Sequence, residues 1–205
     1  MRNLRLVTAP SLEPLTTAQA KTHLRVTDSD YDTEIDYLVQ VAREKYERDT
    51  NRCLITTEYA LYLDNWPDKS TDYHVLFPRA PLQDINSLQY YDTDGVLTEL
   101  TDSAGDFDVI FGTDANSEPG RMYLQPGQSF PNIYTNMTSP IRIQFTAGFG
   151  DSTTDIPQIH RQAVRLLLGY YFDQMRDLAT ERSIQLTMKA YDDIVNQHKL
   201  WSFGD

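Results

Sequence analysis

The side chains with the best claim on chemistry are four histidines, one cysteine and a run of alternating aspartates. Asp28, Asp30 and Asp32 are spaced like the first ligands of a calcium loop. Such a loop then needs a glycine and a bidentate glutamate, and Thr33 and Val39 stand in those places. The three acids fit the start of a helix instead, where free N–H groups favour negative charge. His23, His74, His160 and His198 contain no pair four residues apart and no HExxH pattern. Cys53 stands alone, which excludes an intrachain disulfide or a multi-cysteine zinc site, and it reads as a small buried hydrophobe. There is no G-x-S-x-G elbow and no P-loop. Gly148-Phe149-Gly150 lacks the third glycine of a dinucleotide fingerprint. Serines and aspartates abound, but no spacing joins a nucleophile to a base. No enzyme, cofactor or metal site is expected.

Composition narrows the class further. The 205 residues carry 40% hydrophobic and 11% aromatic side chains, enough for a real core. No apolar run approaches the roughly 18 residues of a membrane span, and the first residues lack the apolar region of a signal peptide. Synthesis in a reducing cytoplasm is expected. The net charge of −12 disfavours gripping a nucleic-acid backbone, though an acidic wall lets a polyanion slide past.

The elements that must position any site follow from periodicity. Residues 1–14 carry two prolines and read as an extended arm. Thr16 and Gln19 resemble a capping box at the start of a short helix. A second helix runs from about Asp30 to Thr50, with Ile35, Leu38, Val39, Ala42 and Tyr46 as its apolar stripe and Asn51 as a left-handed cap. From Leu54 the period changes to two, and residues 54–148 read as an inserted antiparallel β-domain of six or seven strands. Asp94-Gly95 marks a hairpin within it.

The densest stretch is Pro140 to Met175. Ile141, Ile143 and Phe145 alternate with polar residues as a strand. Gly148, Gly150 and Pro157 then set the geometry of the joint into a long apolar helix. Residues 157–199 form two helices or one kinked helix, with Thr180 as a candidate new cap. Tyr170, Tyr171 and Phe172 point in different directions and belong either to the core alone or to core and subunit interface. Ile184, Met188, Tyr191 and Val195 form a narrow seam for helix-on-helix packing, continued by Leu200, Trp201 and Phe203. The terminal aromatics either fold back or anchor in a partner's pocket. The fold class is therefore α+β: a helical body of residues 15–53 plus 156–199, the β insertion at 54–148, and a tail at 200–205.

An ordered set of short motifs carries a family resemblance. It runs Leu15-Thr16, His23-Leu24-Arg25-Val26, an acidic turn, then Arg48-Asp49-Thr50-Asn51-Arg52-Cys53-Leu54. Trp66-Pro67, Phe77-Pro78-Arg79-Ala80-Pro81-Leu82, Phe145-Thr146-Ala147-Gly148-Phe149-Gly150 and Ile156-Pro157 complete it. Over residues 12–201 the chain resembles the head–tail connector, or adaptor, proteins of tailed bacteriophages, in the longer branch with an inserted β-domain. The glycine usual after the second helix is Asn51 here.

The resemblance implies a non-enzymatic virion neck protein. Such connectors form homo-oligomeric rings, commonly dodecamers, on the portal. They extend the DNA channel and present a surface to stopper or tail proteins. The expected portal-docking residues are Ile184, Met188, Tyr191, Val195, Leu200, Trp201 and Phe203. Two rivals stand beside this reading. One is a stopper or tail-terminator role. The other is a β-rich receptor- or carbohydrate-binding module using Tyr59, Tyr73, Tyr90, Tyr91 and Tyr123.

Overall fold

The computed structural model describes residues 2–67, 74–100, 107–110, 119–176 and 180–200. In chain order the elements are β1 (Arg2–Thr8), α1 (Thr17–Leu24), α2 (Asp32–Thr50), β2 (Thr57–Leu63), β3 (His74–Leu76), β4 (Leu82–Tyr91), β5 (Leu97–Glu99), β6 (Phe107–Ile110), β7 (Arg121–Leu124), β8 (Ile141–Ala147), α3 (Gln158–Met175) and α4 (Glu181–His198). The fold is α+β, with all strand pairing antiparallel among the described residues. Two compact units divide it: Met1–Ala9 with Thr56–Gly148, and Pro10–Ile55 with Phe149–Asp205.

The β unit is built on β8. Its side chains alternate strictly, with Ile141, Ile143, Phe145 and Ala147 all fully buried. A strand with a continuous apolar face gains most from a neighbour on each edge, and β8 lies in the middle of the order β1-β2-β8-β4-β5. Its partners bring Leu61, Leu63, Leu82 and Leu88 to the same core. The stretch expected as an extended arm supplies edge strand β1, paired with β2 from Arg2↔Leu63 to Leu6↔Tyr59. Asp92 and Gly95 form the predicted hairpin turn, with Gly95 at φ +76°. A second sheet of three strands has the order β3-β7-β6.

The helical unit starts from the predicted capping box. Thr16 Oγ1 accepts the Gln19 amide and Gln19 Oε1 accepts the Thr16 amide, both at 3.2 Å. The stripe Ile35, Leu38, Val39, Ala42 and Tyr46 is buried against α3 residues Ala163, Val164, Leu167, Leu168 and Phe172. Asn51 ends α2 in the left-handed conformation, φ 59°. Leu54 and Ile55 are fully buried in this same core, which places the chain's exit to the β unit after Ile55.

Pro157 lies at the N-cap of α3 rather than inside its first turn, with φ −54°. Gly150 approaches the Asp155 carboxylate so closely that a Cβ there would collide with it. Asp155 also accepts the Ser152 amide at 3.0 Å, so this loop tolerates only glycine at its entry. Thr180 starts a separate helix: it accepts the Ser183 amide, and Ser183 Oγ accepts the Thr180 amide at 3.0 Å. No helix among the described residues is long and apolar enough to cross a membrane.

Candidate functional site

Two of the four histidines that looked scattered in sequence meet in the helical unit. His160 on α3 lies with its ring centroid 5.0 Å from that of His198 on α4 and 4.9 Å from that of Phe149. The Tyr46 hydroxyl of α2 lies 2.7 Å from His160 Nδ1. Burial pushes the Tyr46 hydroxyl well above its usual range, which keeps it protonated in this bond.

Burial first, then the charge of Arg52 and the neighbouring His198, lowers the His160 pKa to about 3. A general base must hold its pKa near the working pH. A ring that protonates only near pH 3, and is 4% exposed, is a buried hydrogen-bond partner rather than a proton shuttle. Burial and then Arg52 also lower His198.

Around this dyad the polar interior is tied together by long-range bonds. Arg43 donates Nε and Nη2 to Glu13 at 2.7 and 3.2 Å, and Nη1 to Glu47 Oε2 at 2.8 Å. The other Glu47 oxygen accepts the Leu54 amide at 2.7 Å. Together the two carboxylates offset the burial of Arg43 and raise its pKa further. Tyr191 donates to Asp49 at 2.7 Å, and Lys45 pairs with the same Asp49 oxygen. Arg52 Nε donates to the His198 carbonyl at 2.7 Å. These bonds lock α2, α3 and α4 to one another.

The residues singled out for docking fall into three groups. Tyr191, Val195 and Leu200 are buried, and Leu200 is pinned by its amide to the Thr50 carbonyl at 2.9 Å and by its carbonyl to Asn51 Nδ2 at 3.2 Å. Ile184 and Met188 are half-buried on α4. Trp201 and Phe203 lie outside the described residues. The seam read from spacing therefore closes on the helical unit's own core. Its reverse face leaves Leu186 61% exposed.

The aromatic triplet divides in the same way. Phe172 is buried, with the Tyr31 ring edge-on at 6.0 Å and the Arg176 guanidinium at 5.4 Å. Tyr170 and Tyr171 are half-buried. Of the calcium-like acids, Asp32 pairs with Lys21 at 2.6 Å and Asp28 accepts the Asp30 amide at 2.7 Å. No group of three metal-ligating side chains occurs among the described residues.

The β unit has two surface features of its own. An open cleft of about 760 Å³ is lined by Trp66, Phe130, Pro131, Asn132 and Tyr134 among others. In it Trp66 stacks on Phe130, centroids 4.5 Å apart and planes 2° from parallel, and donates Nε1–H to the Pro131 carbonyl at 3.0 Å. A second recess of about 400 Å³ is bounded by Asn3, Arg5, Tyr62 and Arg142. Of the tyrosines expected on a sheet face, Tyr59 stacks on Phe145, Tyr90 tilts toward Trp66, Tyr123 meets His74 and Tyr91 borders the smaller recess. Tyr73 lies outside the described residues.

No protein-family model and no curated protein matches the sequence. Solved structures do match, over nearly the whole chain. A chain from the neck of an empty gene transfer agent (GTA) particle, computed with C6 symmetry, has a TM-score of 0.76 and 25% identity, covering 99% of this chain and 98% of that one. A chain from the virion of the native gene transfer agent particle has a TM-score of 0.74 and 24% identity, covering 98% of each. A chain from the neck of the native particle, computed with C12 symmetry, has a TM-score of 0.68 and 24% identity, covering 99% of this chain and 98% of that one. This chain is thus similar in fold, from end to end, to chains of a phage-like particle and its neck.

Proposed function

We propose that the chain is a structural neck protein of a phage-like virion. In finer detail it acts as the head–tail adaptor, closing into a homo-oligomeric ring on the portal and presenting a surface to the stopper or tail. The observation that carries this is the end-to-end likeness to a neck chain at 25% identity, which covers both units together. The ordered motifs from Leu15 to Pro157 point the same way. C6 and C12 symmetry in the neck structures supports a ring. A net charge of −12 suits a wall past which DNA moves without adhering.

Docking on the portal falls to the tail, with Trp201 and Phe203 as anchors, because Tyr191, Val195 and Leu200 already fill this chain's own core. Tyr170 and Tyr171, half-buried beside that core, are the candidates for a neighbouring subunit. Co-sedimentation with portal-bearing, tailless capsids tests the assignment. The wild-type protein should pellet with the capsids, and Trp201→Ala with Phe203→Ala should stay in the supernatant while melting normally. Wild-type protein that fails to pellet contradicts the adaptor role.

The Trp66–Phe130 cleft favours a second reading, a β-rich module that binds a receptor glycan. Saturable binding on a glycan array, lost in Trp66→Ala, would support it over the adaptor.

A further inference from the structure

On one face of the five-stranded sheet two arginines meet over a single tyrosine ring. Asn3, Tyr62 and Arg142 lie in one cross-strand row over β1, β2 and β8. Arg5 is two residues along β1 from Asn3, hence on the same face. The Arg5 guanidinium lies 5.1 Å from the centre of the Tyr62 ring and that of Arg142 lies 5.9 Å from it. Neither arginine has a carboxylate within ion-pair distance among the described residues. Arg142 Nε is buried and makes no hydrogen bond there. Asp64, next along that face, is committed: it accepts both the amide and the hydroxyl of Ser139, at 3.0 and 2.9 Å.

These arginines border the recess of about 400 Å³. Ser139 stands in its wall at φ 55°, a left-handed conformation that a serine adopts only when its surroundings impose it. The opposite lining is apolar and open to solvent, with Leu97 48% and Met137 42% exposed. Cations and exposed apolar side chains thus face one small volume. A planar guanidinium fork matches a carboxylate, and Leu97 and Met137 match an aliphatic side chain beside it. A polyphosphate backbone fits poorly, because it would use the cations but not the apolar wall.

We propose that this recess binds an acidic peptide segment of a partner protein. One carboxylate sits between Arg5 and Arg142, and a neighbouring aliphatic side chain lies against Leu97 and Met137. The site is independent of whether the chain forms a ring.

The test uses the full chain and a fluorescently labelled, end-blocked hexapeptide of alternating Glu and Leu, read by anisotropy. An alternating Gln and Leu peptide and inorganic phosphate serve as competitors. Saturable binding of the acidic peptide is expected, weakened at least tenfold in Arg142→Gln and in Arg5→Gln and not displaced by the Gln peptide. Arg5→Gln, on an exposed edge-strand residue, carries the test if Arg142→Gln does not fold. Absence of saturable binding, or equal binding by both variants, overturns the proposal. Displacement by phosphate at concentrations matching the peptide's own affinity also overturns it, since the site would then read an anion alone.

Discussion

The two units handle polar groups in opposite ways. Arg43, Glu47, Thr50, Arg52, His160 and Arg161 are buried in the helical unit, whereas Thr57 is the one buried polar residue described in the β unit. The helical unit gives its buried Arg43 two carboxylates, Glu47 one turn along α2 and Glu13 from a distant stretch of the chain. The β unit fills its centre with Ile141, Ile143, Phe145 and their neighbours and leaves Arg5 and Arg142 on its face without an acid. The helical unit spends its buried polar groups largely on holding its own elements together. A unit with uncommitted cations and open apolar side chains has interactions left to make.

The comparison breaks if the buried network is dispensable. Glu47→Ala strips Arg43 of one of its two hydrogen-bonded carboxylates and leaves the buried Leu54 amide without its acceptor, so it should destabilise the helical unit by about 3–5 kcal/mol. Urea unfolding followed by helical circular dichroism checks this. Replacing Arg43, Glu47 and Glu13 together by apolar residues should recover much of the loss, because no charge is then stranded.

The next largest effect is on pH. His160 titrates at 6.5 when unfolded and at about 3 when folded. Between those values the unfolded chain binds a proton that the folded chain refuses, so stability falls as pH falls. The slope is about 1.4 kcal/mol per pH unit below 6.5, levelling near pH 3. His23 and His198, also lowered, act in the same direction. His160→Gln should flatten the stability profile between pH 6.5 and 4 while keeping a partner for Tyr46. An unchanged slope contradicts the neutral, buried assignment.

Smaller losses should follow at single hydrogen bonds. Tyr191→Phe removes the donor to Asp49 and should cost about 1–3 kcal/mol in the same unfolding measurement. Arg5→Gln, on an exposed edge-strand residue, should stay within about 0.5 kcal/mol of wild type, as surface changes do. If it costs as much as Glu47→Ala, the contrast between the units fails.

Local signals in the sequence carried much of the fold. The capping box at Thr16, the N-cap at Thr180, the stripe from Ile35 to Tyr46, Asn51 as a cap and the alternation through β8 each depend on neighbours within a few residues. What they pack against was not legible. The α4 seam was readable as a seam, but spacing does not say whether a helix packs on its own chain or on another. Here Tyr191 and Val195 close on α2 and α3. Strand β1 had a period-two signal in Leu4 and Leu6, but its partner lies about fifty residues on, and Leu6 remains 57% exposed. The His160–Tyr46 bond spans 114 residues and the Tyr191–Asp49 bond 142, so no sequence window contained either. The Arg5–Tyr62–Arg142 row likewise needs three strands in register before it exists.

Electron microscopy of the protein mixed with the portal of its own particle tests the neck assignment most directly. The account predicts a closed ring of subunits, coaxial with the portal and stacked on its tail-facing end. Portals that remain bare at saturating protein, with the chain dispersed as monomers, would contradict it.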